Sequence, residues 1–174
     1  KFTDDVTLPN QAHCAFARSQ YAHARIAKID ATAARKAPGV LAVFTGADLI
    51  ADGVGQLPFA QMHKRPDGSP MFASPHRGLT PERPRYVGDP IALVIAETPA
   101  QAEDAAELVQ VDYEPLPSVT STAEAIGGAP VWDECPDNIS NVFEAGDRAA
   151  VGAAFARAHR VVRRRYVITR VHAQ

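Results

Sequence analysis

The chain has 174 residues, a formal net charge of −2 and 46% hydrophobic residues, a composition typical of a soluble globular protein. It excludes disordered, collagenous and coiled-coil classes, and the balance of 18 Lys+Arg against 20 Asp+Glu argues against nucleic-acid binding. No apolar run approaches the roughly 18 residues that a membrane span needs, and the 2 cysteines, far apart in the sequence, favour a reducing, cytoplasmic compartment over a disulfide framework.

The first predicted elements are two extended runs near the N-terminus. Apolar and other residues alternate over 12–18, and a second extended run covers 22–29. Because only a short turn separates them, the pattern favours a β-hairpin in which the two runs pair with each other.

A helical turn, a strand and a second helical turn are predicted next. Asp30 is a suitable N-cap for an Ala-rich turn over 31–37, which Pro38-Gly39 would end. The apolar run 40–45 lies between glycines and predicts a buried strand. Residues 47–50 then favour another short helical turn.

Residues 51–84 form a long Pro-rich segment with little predicted regular structure. It holds six of the 14 prolines, and such a long loop inside a compact domain is usually functional or partly disordered. We interpret it as an excursion within one domain, because the strand that follows needs the earlier strands as partners. Its large apolar residues must pack either beneath the loop or onto another surface; they are Phe59, Met62, Met71 and Phe72.

The region after the loop predicts strand, helix and strand. Residues 91–96 are an apolar run that predicts a buried strand, and residues 111–113 are a second strand-like run. Between them Thr98 is the predicted N-cap of a helix, with Pro99 at its first position and Gln101 completing a capping box. The unit is short for a parallel crossover, so the predicted fold class is α+β. The predicted buried helix face comprises Ala102, Ala105, Ala106 and Val109.

The C-terminal part predicts a helical turn over 122–126, a helix opening at Gly146-Asp147 and a long strand over 161–172. The strand runs to the terminal Gln174 without a turn, which leads us to expect a piece of a longer protein. In that case we expect either self-association through this strand or disorder of the 51–84 loop. The apolar face of the helix would be Val151, Ala154, Phe155 and Ala158.

The residues predict no catalytic, cofactor-binding or metal-binding site. Cys14 and Cys135 lack close thiol partners of the kind zinc sites use and are interpreted as ordinary buried thiols. No phosphate-binding glycine loop and no Gly-x-Ser-x-Gly nucleophile elbow occurs. The six histidines share no metal-ligand spacing and are interpreted as surface or hydrogen-bonding groups; they are His13, His23, His63, His76, His159 and His172.

Three other polar groups also have ordinary interpretations. The acidic residues after Thr98 form a solvated helix face, Arg163-Arg164-Arg165 alternate between two strand faces, and Asn138-Ile139-Ser140 is a formal glycosylation sequon without a secretory context. The acidic residues concerned are Glu103, Asp104 and Glu107.

Several blocks of sequence, in order, resemble one known family. They include Arg85-Tyr86-Val87-Gly88-Asp89-Pro90, continuing through 91–117, together with Pro38-Gly39-Val40, Arg18-Ser19 and the opening Asp4-Asp5-Val6. These residues resemble the a/b hammerhead domain that opens the large subunit of the xanthine dehydrogenase and aldehyde oxidase molybdenum hydroxylases, including carbon monoxide dehydrogenases. Gln20 departs from the family's more usual proline, which affects only a turn.

The resemblance implies an a/b hammerhead-like mixed sheet with a few helices over 1–141, and the truncated start of the molybdenum-cofactor domain over 142–174. It implies a parent oxidoreductase that uses molybdopterin, with [2Fe-2S] and FAD in partner subunits or domains. No catalytic or cofactor residue of the family falls within this chain. We therefore expect a structural, interface-forming domain whose partners are the molybdenum-cofactor domain and the iron-sulfur and FAD subunits, with no nucleic acid and no membrane.

Two other hypotheses remain open from the sequence. The chain could be a freestanding interaction or binding module with the same fold, or a small enzyme using Cys14 or a carboxylate. The substrate of the parent enzyme, whether CO, an aldehyde, a purine or another heterocycle, is not predicted by any residue. Continuation of the reading frame beyond Gln174 would discriminate between a domain of a longer large subunit and a freestanding module.

Overall fold

The structure is a computed structural model that describes residue 2 and residues 5–59 and 62–166. The chain divides into two compact units, Lys1–Val142 and Phe143–Gln174. The elements of the first unit are, in order, β1 His13–Arg18, β2 Ala24–Asp30, α1 Thr32–Arg35, β3 Val40–Thr45, α2 Gly46–Ala51, β4 Pro90–Ala96, α3 Pro99–Glu107, β5 Gln110–Pro115 and α4 Thr122–Ala125; the second unit contains α5 Arg148–Arg157.

The five strands of the first unit form two antiparallel sheets. One sheet has three strands in the order β1-β4-β3, and the other pairs β2 with β5. β4 is the central strand, and most of its apolar residues are buried, whereas the residues of β1 alternate between half-buried and exposed. The strands and the predicted helices confirm the α+β class.

The predicted hairpin between the first two strands is wrong. β1 pairs with β4, with Phe16 opposite Leu93, and β2 pairs with β5, with Ile26 opposite Tyr113. The turn between β1 and β2 is bound to the residue that precedes β4, because the Ser19 amide donates a hydrogen bond to the Asp89 carbonyl at 2.9 Å. The two strands therefore enter different sheets, and the short gap between them did not indicate pairing.

The hydrophobic core lies between the three-stranded sheet and the helices α1 and α3. Val43 and Val94 face the helices from neighbouring strands and pack with Ala31, Ala34 and Ala105. The small helix residues let α3 approach the sheet closely. Gly39, just before β3, has a φ of +75°, a backbone conformation that residues other than glycine rarely adopt.

Helix α3 begins as predicted. The Thr98 hydroxyl accepts a hydrogen bond from the Gln101 amide at 3.3 Å, and Pro99 occupies the first turn. The return bond of the predicted capping box differs, because the Gln101 side-chain oxygen accepts from the Thr98 hydroxyl at 2.9 Å. Ala102 and Ala105 are fully buried, and Val109 is partly buried against the core.

Replacing Thr98 with alanine should lower the free energy of unfolding by about 1 kcal/mol, because the first amides of α3 lose their side-chain acceptor. Thr98→Ser, which keeps the hydroxyl, is the matched control and should remain close to the unchanged chain. Urea denaturation of the three proteins measures the difference. Equal stability of the alanine and serine variants would contradict the role of the cap.

Carboxylates accept hydrogen bonds from backbone amides at the starts of the short helices α1 and α2. The Asp30 carboxylate accepts from the Thr32 amide at 3.0 Å, although Ala31 occupies the N-cap position. This bond, with the Lys28 ammonium nearby, lowers the pKa of Asp30 to about 2. At α2 a full capping box joins Thr45 and Asp48, and its hydrogen bonds lower the pKa of Asp48. Both helical turns were predicted from the sequence, whereas the capping box of α2 was not.

The second unit contains helix α5, which opens as predicted. The Asp147 carboxylate accepts from the Ala150 amide at 2.8 Å, and the apolar residues Val151 and Phe155 are exposed. The predicted strand over 161–172 is wrong for 161–166, which form neither a helix nor a strand, since no described segment pairs with them. Residues 167–172 of that prediction lie outside the described residues.

Candidate functional site

The polar centre of the first unit is Asp89, at the start of β4. Its buried carboxylate accepts from the Thr80 hydroxyl at 2.6 Å and from the Arg85 amide at 3.1 Å. Its carbonyl accepts from the Ser19 amide, and the preceding Gly88 amide donates to the Ser19 carbonyl at 2.8 Å. Gly88 has a φ of +91°, which glycine adopts without strain. Asp89 thus joins β4, the end of the long loop and the turn after β1.

Arg85 joins the same region to a distant segment. Its guanidinium carbon lies 3.4 Å from the centre of the Trp132 ring, and its Nε donates to the Val131 carbonyl at 2.9 Å. An arginine over an aromatic face is an attractive cation–π arrangement. Partial burial, together with the positive charge of Arg83, lowers the pKa of Arg85.

A cleft of about 590 Å³ lies beside these residues. Arg83 closes part of it by donating to both carboxylate oxygens of Asp133 at 3.2 Å. Burial and the Asp89 carboxylate raise the pKa of Tyr86, which also lines the cleft. The charged lining residues are of both signs and partly neutralise one another; they are Arg77, Glu82, Arg83, Arg85, Asp89, Asp133 and Glu134. The arrangement is suited to holding residues 83–85 against residues 131–133. It offers no uniform charge that would bind an ionic ligand.

The long loop is attached to the 131–140 segment rather than standing free. The Phe72 amide donates to the Ser140 carbonyl at 2.8 Å, and the Ser140 hydroxyl donates to the Phe72 carbonyl at 2.7 Å. Arg65 donates to the Ile139 carbonyl, and the Phe72 ring packs 6.1 Å from that of Trp132. Of the loop's large apolar residues, Met71 and Phe72 are therefore half-buried, while Phe59 and Met62 stay exposed.

Asn138 has a structural role that the sequence analysis missed. Its side-chain oxygen accepts from the Val131 amide at 2.8 Å, and its amide nitrogen donates to the Ala125 and Ala129 carbonyls at 2.8 and 3.0 Å. Its φ is +56°, a conformation that asparagine tolerates better than most residues. The turn-forming run Pro136-Asp137-Asn138 was the available signal, whereas Asn138 was interpreted only as the first residue of the formal sequon Asn138-Ile139-Ser140.

The two cysteines differ, and the prediction that both are buried is wrong for Cys14. Cys135 is 5% exposed, and burial together with a hydrogen bond to Asp137 raises the pKa of its thiol. Cys14 is exposed because it points away from the helix-covered face of β1. A reactive thiol also needs a group that stabilises the thiolate. The raised pKa of Cys135 instead favours the protonated, unreactive thiol.

Other predicted positions agree with their ordinary interpretations. His23 is buried, and its Nδ1 lies 2.7 Å from the Pro117 carbonyl, to which it donates. Glu103, Asp104 and Glu107 are exposed on α3, as predicted for a solvated face, and Arg163–Arg165 are exposed as well. Within residues 5–59 and 62–166, no three His, Cys, Asp or Glu side chains converge as metal ligands would. Over the same ranges no helix has the length and apolar character needed to cross a membrane.

The chain is similar to subunits of bacterial enzymes along nearly its whole length. It is 37% identical over 171 residues to the gamma subunit of the 6-hydroxypseudooxynicotine dehydrogenase complex of Paenarthrobacter nicotinovorans, covering 97% of this chain and 21% of that subunit. It is 38% identical over 176 residues to the nicotine 6-hydroxylase large subunit of the same organism, covering 99% and 20%. The chain thus spans about a fifth of the length of these relatives.

The fold is also similar to that of part of a solved enzyme structure. The crystal structure of the Cu,Mo-CO dehydrogenase in its carbon monoxide reduced state matches 91% of this chain and 20% of that chain, with a TM-score of 0.74 and 31% identity. Residues 1–117 match the family described as "Aldehyde oxidase and xanthine dehydrogenase, a/b hammerhead domain". This chain therefore belongs to the aldehyde oxidase and xanthine dehydrogenase family and contains its a/b hammerhead domain.

Proposed function

We propose that this chain is the non-catalytic, structural and interface-forming N-terminal part of the large subunit of a molybdenum hydroxylase. The observation that carries the proposal is the family match over 1–117 in a chain that covers about a fifth of its relatives. The geometry of the first unit supports a structural role, since the buried Asp89 carboxylate binds the Thr80 hydroxyl and the Arg85 amide and so joins the start of β4 to the end of the long loop.

The names of the relatives support a role that does not depend on the substrate. The family description covers aldehyde oxidase and xanthine dehydrogenase, and the similar proteins are named for 6-hydroxypseudooxynicotine, nicotine and carbon monoxide. A region shared by proteins named for such different compounds is better suited to holding a common architecture than to selecting one substrate. The hammerhead domain would then position the rest of the subunit.

The cofactors of the parent enzyme would be held outside this chain. A [2Fe-2S] cluster needs four ligating side chains, usually thiolates, and this chain has 2 cysteines, one exposed and one buried. We infer that molybdopterin binds the remainder of the subunit, that 142–174 opens that part, and that iron-sulfur and FAD groups belong to partner subunits or domains of a cytoplasmic enzyme.

The test is to express the complete reading frame with its neighbouring subunit genes and, separately, the 174-residue chain. The complete enzyme should contain molybdenum, iron and flavin and should oxidise one compound from a panel of N-heterocycles, aldehydes, purines and CO. The 174-residue chain should contain none of these groups and show no turnover. Elemental analysis and absorption spectra provide the measurement, and stoichiometric metal in the short chain would contradict the proposal.

A freestanding interaction module with the same fold is the alternative. It predicts a reading frame that ends near Gln174 and a chain that binds a separate protein. A frame that continues for several hundred residues would exclude it.

A further inference from the structure

The three-stranded sheet of the first unit has one face covered by helices and one face that is not. α1 and α3 pack on the face that carries Val43 and Val94. Side chains alternate between faces along a strand, so Leu93 and Phe44, the neighbours of those two valines, point to the opposite face. We call this opposite face the open face.

The open face carries an apolar row across all three strands. Phe16 of β1 and Phe44 of β3 both lie opposite Leu93 of β4 in the strand register. Directly opposed residues of neighbouring antiparallel strands share a face and lie close together. A second row runs alongside the first, in which Cys14 and Ala42 both lie opposite Ile95.

On the open face, the side chains of β4 become less buried along the strand. Ile91 is fully buried, whereas Leu93 and Ile95, which point to the same side, are only partly buried. On the flanking strand β1, Phe16 is 41% exposed. Aromatic and aliphatic side chains grouped in this way are expected at a protein contact rather than on a solvated surface.

We propose that the open face is the surface on which the remainder of the large subunit packs. The inference rests on the proposed function and specifies which face of the hammerhead domain makes that contact. The occupant follows from chain length, because about four-fifths of each similar subunit lies outside the region that this chain matches. A segment presenting apolar side chains would complete a second layer over the sheet, as α1 and α3 do on its other face.

Cys14 is a natural reporter of this contact, because it lies in the second apolar row and is exposed. Cys135 is buried within the same unit and reports whether that unit stays folded. The experiment labels the full-length large subunit with a maleimide under native conditions and in urea, and mass spectrometry follows the peptides of both cysteines. We expect native Cys14 to react at least about tenfold more slowly than in urea, equivalent to an opening free energy of ~1.4 kcal/mol or more.

A matched pair of variants tests the contact with the same reporter. Phe16→Ser removes an apolar side chain from the open face, and Leu108→Ser removes one that is similarly exposed, 43% against 41%, at the end of α3. Phe16→Ser should bring Cys14 labelling towards the urea rate while Cys135 stays slow. Leu108→Ser should leave both labelling rates unchanged.

Three results would overturn the inference. Rapid native labelling of Cys14 in the full-length subunit would show that the face is open to solvent. Protection that appears only when iron-sulfur and FAD subunits are present would assign the face to a partner subunit, and protection lost on dilution would assign it to a second copy. None of these results would remove the molybdenum of the complete enzyme, so they are distinguishable from failure of the proposed function.

Discussion

Replacing Ile91 with alanine should lower the free energy of unfolding by about 2–5 kcal/mol, the range measured for large-to-small substitutions in packed cores. Ile91 is fully buried on the central strand β4 and is among the largest side chains with no exposed surface. The substitution leaves a cavity beside β4, the strand that joins β1 and β3 in the sheet. Because the core is small, few other contacts compensate for those that are lost. Urea denaturation of the 174-residue chain, followed by circular dichroism, measures the change.

Ile126→Ala is the matched control for this substitution. Ile126 is 69% exposed after α4, so the same chemical change should alter stability by no more than about 0.5 kcal/mol. A similar loss in both variants would show that Ile91 does not lie in a packed core. It would also contradict the central position of β4.

Replacing Asp89 with alanine should lower the free energy of unfolding by about 1.5–3 kcal/mol, as expected when a hydrogen-bonded charged group is removed. The Thr80 hydroxyl and the Arg85 amide would both lose their acceptor, and neither finds another described partner at the site. The end of the long loop and the start of β4 would then separate more easily. The effect should appear both in urea denaturation and as faster amide exchange at Arg85.

Two further variants separate this role from a general effect of charge. Glu97→Ala removes an exposed carboxylate close to the other end of β4 and should be nearly neutral. Thr80→Val removes the hydroxyl partner, and the double variant with Asp89→Ala should cost less than the sum of the two single variants. Additive effects would show that the Thr80–Asp89 hydrogen bond does not contribute to stability.

Elements that depend on neighbouring residues were predicted well from the sequence. β3 begins at Val40 and ends at Thr45 as predicted, and α3 begins with the Thr98 cap and Pro99. Helix caps and apolar runs between glycines act over a few residues, so their physical cause is local and visible in the order of amino acids. The helix opened by Asp147 was predicted for the same reason.

Partners that lie far apart in the chain were not predictable in the same way. The pairing of β1 with β4 rather than β2 depends on which surfaces gain burial once the whole chain collapses, and no short spacing records that comparison. The contact between Arg85 and Trp132 likewise joins two segments that lie far apart in the chain.

The sequence alone therefore indicated the α+β class, the caps of α3 and α5 and the resemblance to the family, because local hydrogen-bonding patterns and ordered sequence blocks carry that information. The exposure of Cys14, the polar centre at Asp89 and the open face of the three-stranded sheet follow only from the folded chain. Strand alternation can show that two faces exist, but which face the helices cover depends on the packing of α1 and α3, which is a property of the assembled unit.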